Sequence, residues 1–147
     1  MGALENFVDT LNAFGESTHL PQLKLDDDNA CELCINEDQH VRIHFNEQQS
    51  KVEFLTEVGD INENYIDKCY ACLLKANCIW DLTHGMTLSK WPDALKVLLG
   101  YQVPALDLDL SAFETHFKRF IDELKLWKDN LVQLYQGNVP EDLAELC

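Results

Sequence analysis

Positive charge is scarce in this sequence: 11 Lys and Arg stand against 26 Asp and Glu in 147 residues, a formal charge of −15. A field of that sign repels nucleic-acid phosphates and anionic lipid headgroups, so neither is expected as a partner, and neutral or basic proteins are. No apolar run approaches the roughly 18 residues that a membrane span needs. The first helix carries Glu5 and Asp9 without any Lys or Arg before them, so the basic start of a signal peptide is missing and a cytoplasmic protein is expected. Catalytic signatures are missing as well: there is no G-x-S-x-G, no P-loop and no dinucleotide fingerprint. Carboxylates are plentiful but stand in turns, as at Asp26 to Asp28, with no partner constellation for acid–base work. The expectation is a protein without catalytic residues or cofactor.

What is present suits a folded domain. An apolar fraction of 46% and three tryptophans exclude wholesale disorder, and a chain of this length buries roughly two thirds of its unfolded surface. One domain over residues 1–147 is expected, with a short acidic tail from about residue 137.

The six cysteines, at 31, 34, 69, 72, 78 and 147, include two C-x₂-C pairs, Cys31 with Cys34 and Cys69 with Cys72. Such pairs can mark a structural zinc site. Against zinc, residues 31 and 34 fall in a strand, where positions i and i+3 point to opposite faces. Cys69 and Cys72 share a helical face, where free cysteine packs as a small hydrophobe. Reduced, structural thiols and no metal are expected. His40 and His44 share one face of a strand and read more simply as exposed polar positions than as a metal pair.

Periodicity orders the elements. Leu4, Phe7, Val8, Leu11 and Phe14 recur at helical spacing, with Gly15 where a C-cap glycine would sit. Alternation at Leu23 and Leu25 predicts a strand that enters a turn at Asp26 to Asn29. Further strands follow over 30–35, 41–45 and 51–58. Tyr65, Cys69, Cys72, Leu73, Ala76 and Trp80 keep a period of 3.6, which predicts a central helix between Asn62 and Leu82. Met86 to Trp91 and Leu95 to Val103 form a strand hairpin. The stripe Phe113, Phe117, Phe120, Leu124, Trp127, Leu131 and Leu134 marks a last helix, with Ser111 and Glu114 at capping-box spacing and Gln136-Gly137 at its end. The fold class is therefore α+β: helix, antiparallel strands, central helix, strand hairpin and C-terminal helix, packed on a twisted sheet.

This order, together with the helix Leu4 to Phe14, the run Leu20-Pro21-Gln22-Leu23-Lys24-Leu25-Asp26-Asp27, the strands Cys31 to Ile35 and Val41 to Phe45, and the Phe120, Leu124, Trp127 stripe, resembles the class I type III secretion chaperones, the Tir-chaperone family. The resemblance spans about residues 2–136. It departs at Asn29-Ala30, where a glycine is common, at the Trp91-Pro92 hairpin, and in the tail ending at Cys147. It implies a bacterial homodimer that holds the N-terminal region of a secreted effector extended for export, with no cofactor and no enzymatic activity. It further implies a two-fold interface at the central helix and the strand after it, here Cys72, Ala76, Trp80, Leu95, Val97 and Leu99. Effector contact is implied at Leu4, Phe7, Leu11 and Phe14 on the first helix and at Val41, Ile43 and Phe45 on the sheet. A regulator of the same fold, sequestering another chaperone or a secretion-system regulator, is the second reading. A zinc-dependent or other enzyme is the third.

Overall fold

The computed structural model describes residues 2–20, 23–78 and 80–144. Pro21 and Gln22 of the resemblance run, and the terminal Cys147, lie outside the described residues. The elements are α1 (Ala3–Ser17), β1 (Ala30–Ile35), β2 (Gln39–Asn46), β3 (Lys51–Asp60), α2 (Ile66–Asn77) after a 3-10 turn at Glu63–Tyr65, β4 (Thr87–Lys90), β5 (Lys96–Pro104), α3 (Leu110–Tyr135) and α4 (Glu141–Ala144). The five strands form one sheet in the order β1-β2-β3-β5-β4, which is the expected α+β class. Among the described residues, no helix is long and apolar enough to cross a membrane.

Several boundaries differ from the sequence expectation, each for a local reason. Leu23 is buried, but residues 23–26 form no strand; the chain instead turns at Asp26, whose backbone N–H donates to the Ala30 carbonyl at 2.7 Å. Among the described residues three strands, not four, therefore precede α2. Gly15 lies inside α1, which runs on to Ser17 and closes through His19 at φ 57°, with Leu20 N donating to Gly15 O at 3.0 Å and His19 N to Glu16 O at 3.4 Å. A histidine thus takes the left-handed position that glycine usually fills. At the start of α3 the capping side chain is Asp109, whose Oδ1 accepts from Ala112 N at 2.8 Å, and Ser111 is already helical. The α3 terminus is where glycine placed it: Gly137 has φ 84°, and Asn138 N donates to Gln133 O at 2.9 Å.

The chain divides into two units, residues 1–55 with 102–120 and residues 56–101 with 121–147. β3, β5 and α3 each contribute residues to both.

The first unit is built on phenylalanine. All seven in the chain lie in it, and every one makes a ring–ring contact, including Phe7 on Phe45 (5.5 Å), Phe14 on Phe113 (4.9 Å), Phe54 on Phe120 (5.5 Å) and Phe113 on Phe117 (6.4 Å). The cause is alignment of periods: α1 and α3 repeat Phe at helical spacing, while Phe45 and Phe54 take inward strand positions. β1 pairs antiparallel with β2, Cys31 opposite Ile43 and Leu33 opposite Val41.

The second unit buries Cys69, Cys72, Leu73 and Ala76 of α2 with Met86, Leu88, Val97, Leu99, Trp127 and Leu134. β4, an edge strand, pairs with β5, Leu88 opposite Leu99. Its outer edge is occupied at Leu88, where the Asn77 amide donates to Leu88 O at 2.8 Å and accepts from Leu88 N at 2.9 Å. A side-chain amide here supplies the bonds that another strand would, which blunts the edge against unwanted pairing. The same turn-away ends α2 at Asn77, well short of Leu82, and Trp80 then adopts φ 60°, a left-handed conformation in which no helix continues.

Candidate functional site

The residues expected to contact a partner on the first unit are largely interior. Phe7, Leu11 and Phe14 line the buried face of α1, and Val41, Ile43 and Phe45 the buried face of β2; all six are at most 3% exposed, and only Leu4 is half-buried. The structure does bring the two groups together, since Phe7 stacks on Phe45, but as core. A side chain with no accessible surface cannot touch a partner directly. What α1 turns outward is polar apart from Ala3 and Val8, the latter 36% exposed.

Open hydrogen-bonding capacity lies beside these residues, on β1. Asn29 O accepts from Phe45 N at 2.8 Å, toward β2, whereas the N–H and C=O of Ala30 engage Asp26 on the other side at 3.0 and 2.7 Å. Antiparallel pairing alternates, so the backbone groups of Glu32 and Cys34 also point away from β2. β1 is the terminal strand of the sheet, and no backbone bond engages those groups among the described residues. The Asp26 turn fixes the start of this edge. Hydrogen bonds from Ala30 N and Asp28 N hold the Asp26 carboxyl below its ordinary pKa.

β2 and β3 turn a polar network outward. Glu53 meets His44 Nδ1 at 2.7 Å and accepts from Gln102 Nε2 at 2.7 Å and Asn46 Nδ2 at 3.4 Å. Burial pushes the Glu53 carboxyl up, but these hydrogen bonds outweigh it and leave the pKa lowered. His40 stands 3.8 Å from Glu32, so each histidine of the pair faces a carboxylate.

On the second unit the expected interface residues divide. Cys72, Ala76, Val97 and Leu99 are at most 4% exposed, and Leu95 is half-buried with its carbonyl accepting from Ile61 N at 2.8 Å. Trp80 alone is open, at 61%. The other face of α2, which sequence reasoning passed over, carries exposed Ala71, Leu74 and Cys78, with Leu74 at 71%. These recur at i, i+3 and i+7, one stripe of a helix. The signal was Leu74, an apolar residue off the buried stripe.

Trp80 is presented by a fixed loop. Its carbonyl accepts from Gly85 N at 3.0 Å and Thr83 Oγ1 at 3.4 Å. Next to Gly85, His84 Nδ1 meets Glu123 Oε2 at 2.6 Å, and Glu123 Oε1 accepts from Trp127 Nε1 at 3.0 Å. Glu123 is 5% exposed and Trp127 2%, so a buried carboxylate ties the loop to α3.

The two C-x₂-C pairs differ in setting. Cys31 is buried and Cys34 exposed on β1, while Cys69 and Cys72 are both buried in α2. Burial pushes the Cys31 and Cys69 thiols up to about 11, which keeps them protonated at neutral pH. Among the described residues no three His, Cys, Asp or Glu side chains gather as a metal group.

The model of the Tir chaperone protein (CesT) family matches residues 9–128. No curated protein matches the sequence. Among solved structures, a chain of the ExsC–ExsE complex superposes with a TM-score of 0.77 at 21% identity, covering 89% of this chain and 97% of that one. A chain of the HopA1–SchA chaperone–effector complex gives 0.69 at 13%, covering 86% and 96%. The structure of the Yersinia pestis type III secretion chaperone SycH with a stable fragment of YscM2 gives 0.63 at 13%, covering 82% and 98%. At these identities the likeness is one of fold.

Proposed function

The chain belongs to the Tir chaperone protein (CesT) family, and from that premise we propose that it is a type III secretion chaperone of the bacterial cytoplasm. It binds the N-terminal region of a secreted effector, keeps that region extended and non-globular, and promotes its export. The family match over residues 9–128 is the observation that carries this reading. The HopA1–SchA and SycH–YscM2 structures each hold a chaperone with a second protein, which is the arrangement proposed here.

The geometry offers a means. The free edge of β1 accepts an extended segment through main-chain hydrogen bonds, which tolerate sequence variation in the partner. Leu4 and Val8 are the apolar side chains that α1 leaves for such a segment, over a floor of Phe7, Leu11, Phe14, Val41, Ile43 and Phe45. Ordering a disordered segment limits affinity, as release at the export apparatus requires. Holding by burial and strand addition breaks no bond, so neither ATP nor a cofactor takes part.

The working unit is a homodimer. Ala71, Leu74, Cys78 and Trp80 form its two-fold contact, with Cys72, Ala76, Val97 and Leu99 packed beneath and Leu95 at the margin. A closed two-fold interface must be self-complementary, and small Ala71 and Cys78 let two helices approach closely. Nucleic acid and membrane are not partners, given the charge of −15.

Deleting the gene tests the reading. Export of one secreted protein should fall sharply while its transcript level holds, and the two proteins should co-purify from the wild-type cell. Unchanged export would refute it; a lost transcript, with the protein still exported when it is expressed from an independent promoter, would favour the regulator.

A further inference from the structure

Within the first unit, the opening turns of α1 and the loop between β5 and α3 enclose an open cleft of about 580 Å³. The loop is fixed on both sides: Ala105 N donates to Ser50 O at 2.9 Å, and Thr10 Oγ1 of α1 donates to Leu108 O at 3.2 Å. Asp107 takes φ 59° at the turn. Leu106 is thereby held into solvent at 80% exposure, the highest of the large apolar side chains described. The wall combines Ala3, Ala105, Leu106 and Leu108 with the carboxylates of Asp9 and Asp107 and contains no Lys or Arg. Asp109 uses one oxygen on Ala112 N, but no described cation pairs with Asp9 or Asp107.

We infer that this cleft receives one apolar side chain of the secreted segment, flanked by lysine or arginine. The inference rests on the chaperone reading and names the chemistry of the segment it holds. Apolar walls bury the anchor, and the two unpaired carboxylates meet the flanking cations. A second copy of this chain is a poor occupant, because it brings a further charge of −15 to a mouth that is already acidic. The loop is preformed, so binding there orders little of the chaperone itself.

The test uses the whole chain and synthetic peptides. One peptide has a leucine between two arginines in a Gly/Ser background; a second replaces that leucine by serine; a third replaces the arginines by glutamate. Titration is followed by amide chemical shifts. The first peptide should saturate and move the amides of residues 3–10 and 105–109, while the other two should not. Leu106→Ser, an exposed substitution, should weaken it about tenfold, and so should Asp9→Asn with Asp107→Asn. Asparagine tolerates the left-handed turn, so the pair should leave the fold unchanged. Asp67→Asn with Asp81→Asn makes the same charge change on exposed residues elsewhere and should weaken binding less than about twofold. Equal weakening by that control pair, equal binding of the serine peptide, or shifts confined to other residues would overturn the inference. The two readings fail separately. If a native secreted segment binds and neither cleft variant weakens it, the cleft inference falls and the chaperone reading stands. If the peptide fills the cleft but no secreted segment binds, the chaperone reading falls and takes the secreted occupant with it, while the cleft keeps only its preference for an apolar residue between cations.

Discussion

Glu123→Ala tests the tie between the Trp80 loop and α3. The carboxylate is 5% exposed and serves two donors, Trp127 Nε1 at 3.0 Å and His84 Nδ1 at 2.6 Å. Alanine removes both acceptors and strands the indole N–H of a side chain that is only 2% exposed. A buried donor left unsatisfied costs about 1–3 kcal/mol. The bond to His84, whose ring is largely exposed, adds little. A loss of about 2–3 kcal/mol is therefore expected, or roughly 1–2 M in the urea midpoint. Glu123→Gln keeps a carbonyl for Trp127 and should cost about 1 kcal/mol. Trp127→Phe with Glu123→Leu removes donor and acceptor together and should fall well short of the sum of the two single losses. Urea unfolding followed by far-UV circular dichroism reads the wild type, these variants and the single substitutions Trp127→Phe and Glu123→Leu. A Glu123→Ala unfolding free energy within about 0.5 kcal/mol of wild type would refute the reasoning, for that is the range of an unimportant surface change.

Other outcomes follow from the same structure. Phe113→Ala should cost about 3–5 kcal/mol in urea unfolding, because Phe113 is fully buried and meets Phe7, Phe14, Phe54 and Phe117. Gly137→Ala should cost about 1–2 kcal/mol or more, since its φ of 84° strains an L residue and a Cβ there would stand 2.7 Å from the Tyr65 ring. Light scattering should give twice the 16.9 kDa chain mass for the wild type and a folded monomer for Leu74→Asp or Trp80→Asp, which alter exposed residues. Val97→Asp, by contrast, buries an unpaired charge and should unfold the chain. The lowered pKa of Glu53 means that the unfolded chain protonates first as pH falls. Its contribution is full above the ordinary carboxylate value and lost as pH falls through the lower folded value. The stability gap to Glu53→Gln should narrow over that acid window; a gap that widens there would contradict the network.

Element order was legible because periodicity switches cleanly from helix to strand along the chain. Phe113 to Leu134 could be read as one stripe, and Gly137 marked its end. Boundaries set by single side chains were not. Asp26 turns the chain with its own carboxylate, so the Leu23 and Leu25 alternation never becomes a strand. Asn77 ends its helix with its side-chain amide on the Leu88 backbone, which no periodicity records. The site was less legible still. Both faces of α2 carry apolar residues, and Cys72 and Ala76 resemble an interface as much as Leu74 does until burial separates them. The edge of β1 is a backbone property, invisible in side-chain identity.

Amide exchange on a complex with the N-terminal region of a candidate effector bears on the central claim most directly. The account predicts new protection in β1, Ala30–Ile35, and on α1, Ala3–Ser17, with protection in the effector confined to the contacting segment, which stays extended. An effector region that remains globular when bound, or a complex that leaves both α1 and β1 as unprotected as in the free chain, would contradict it.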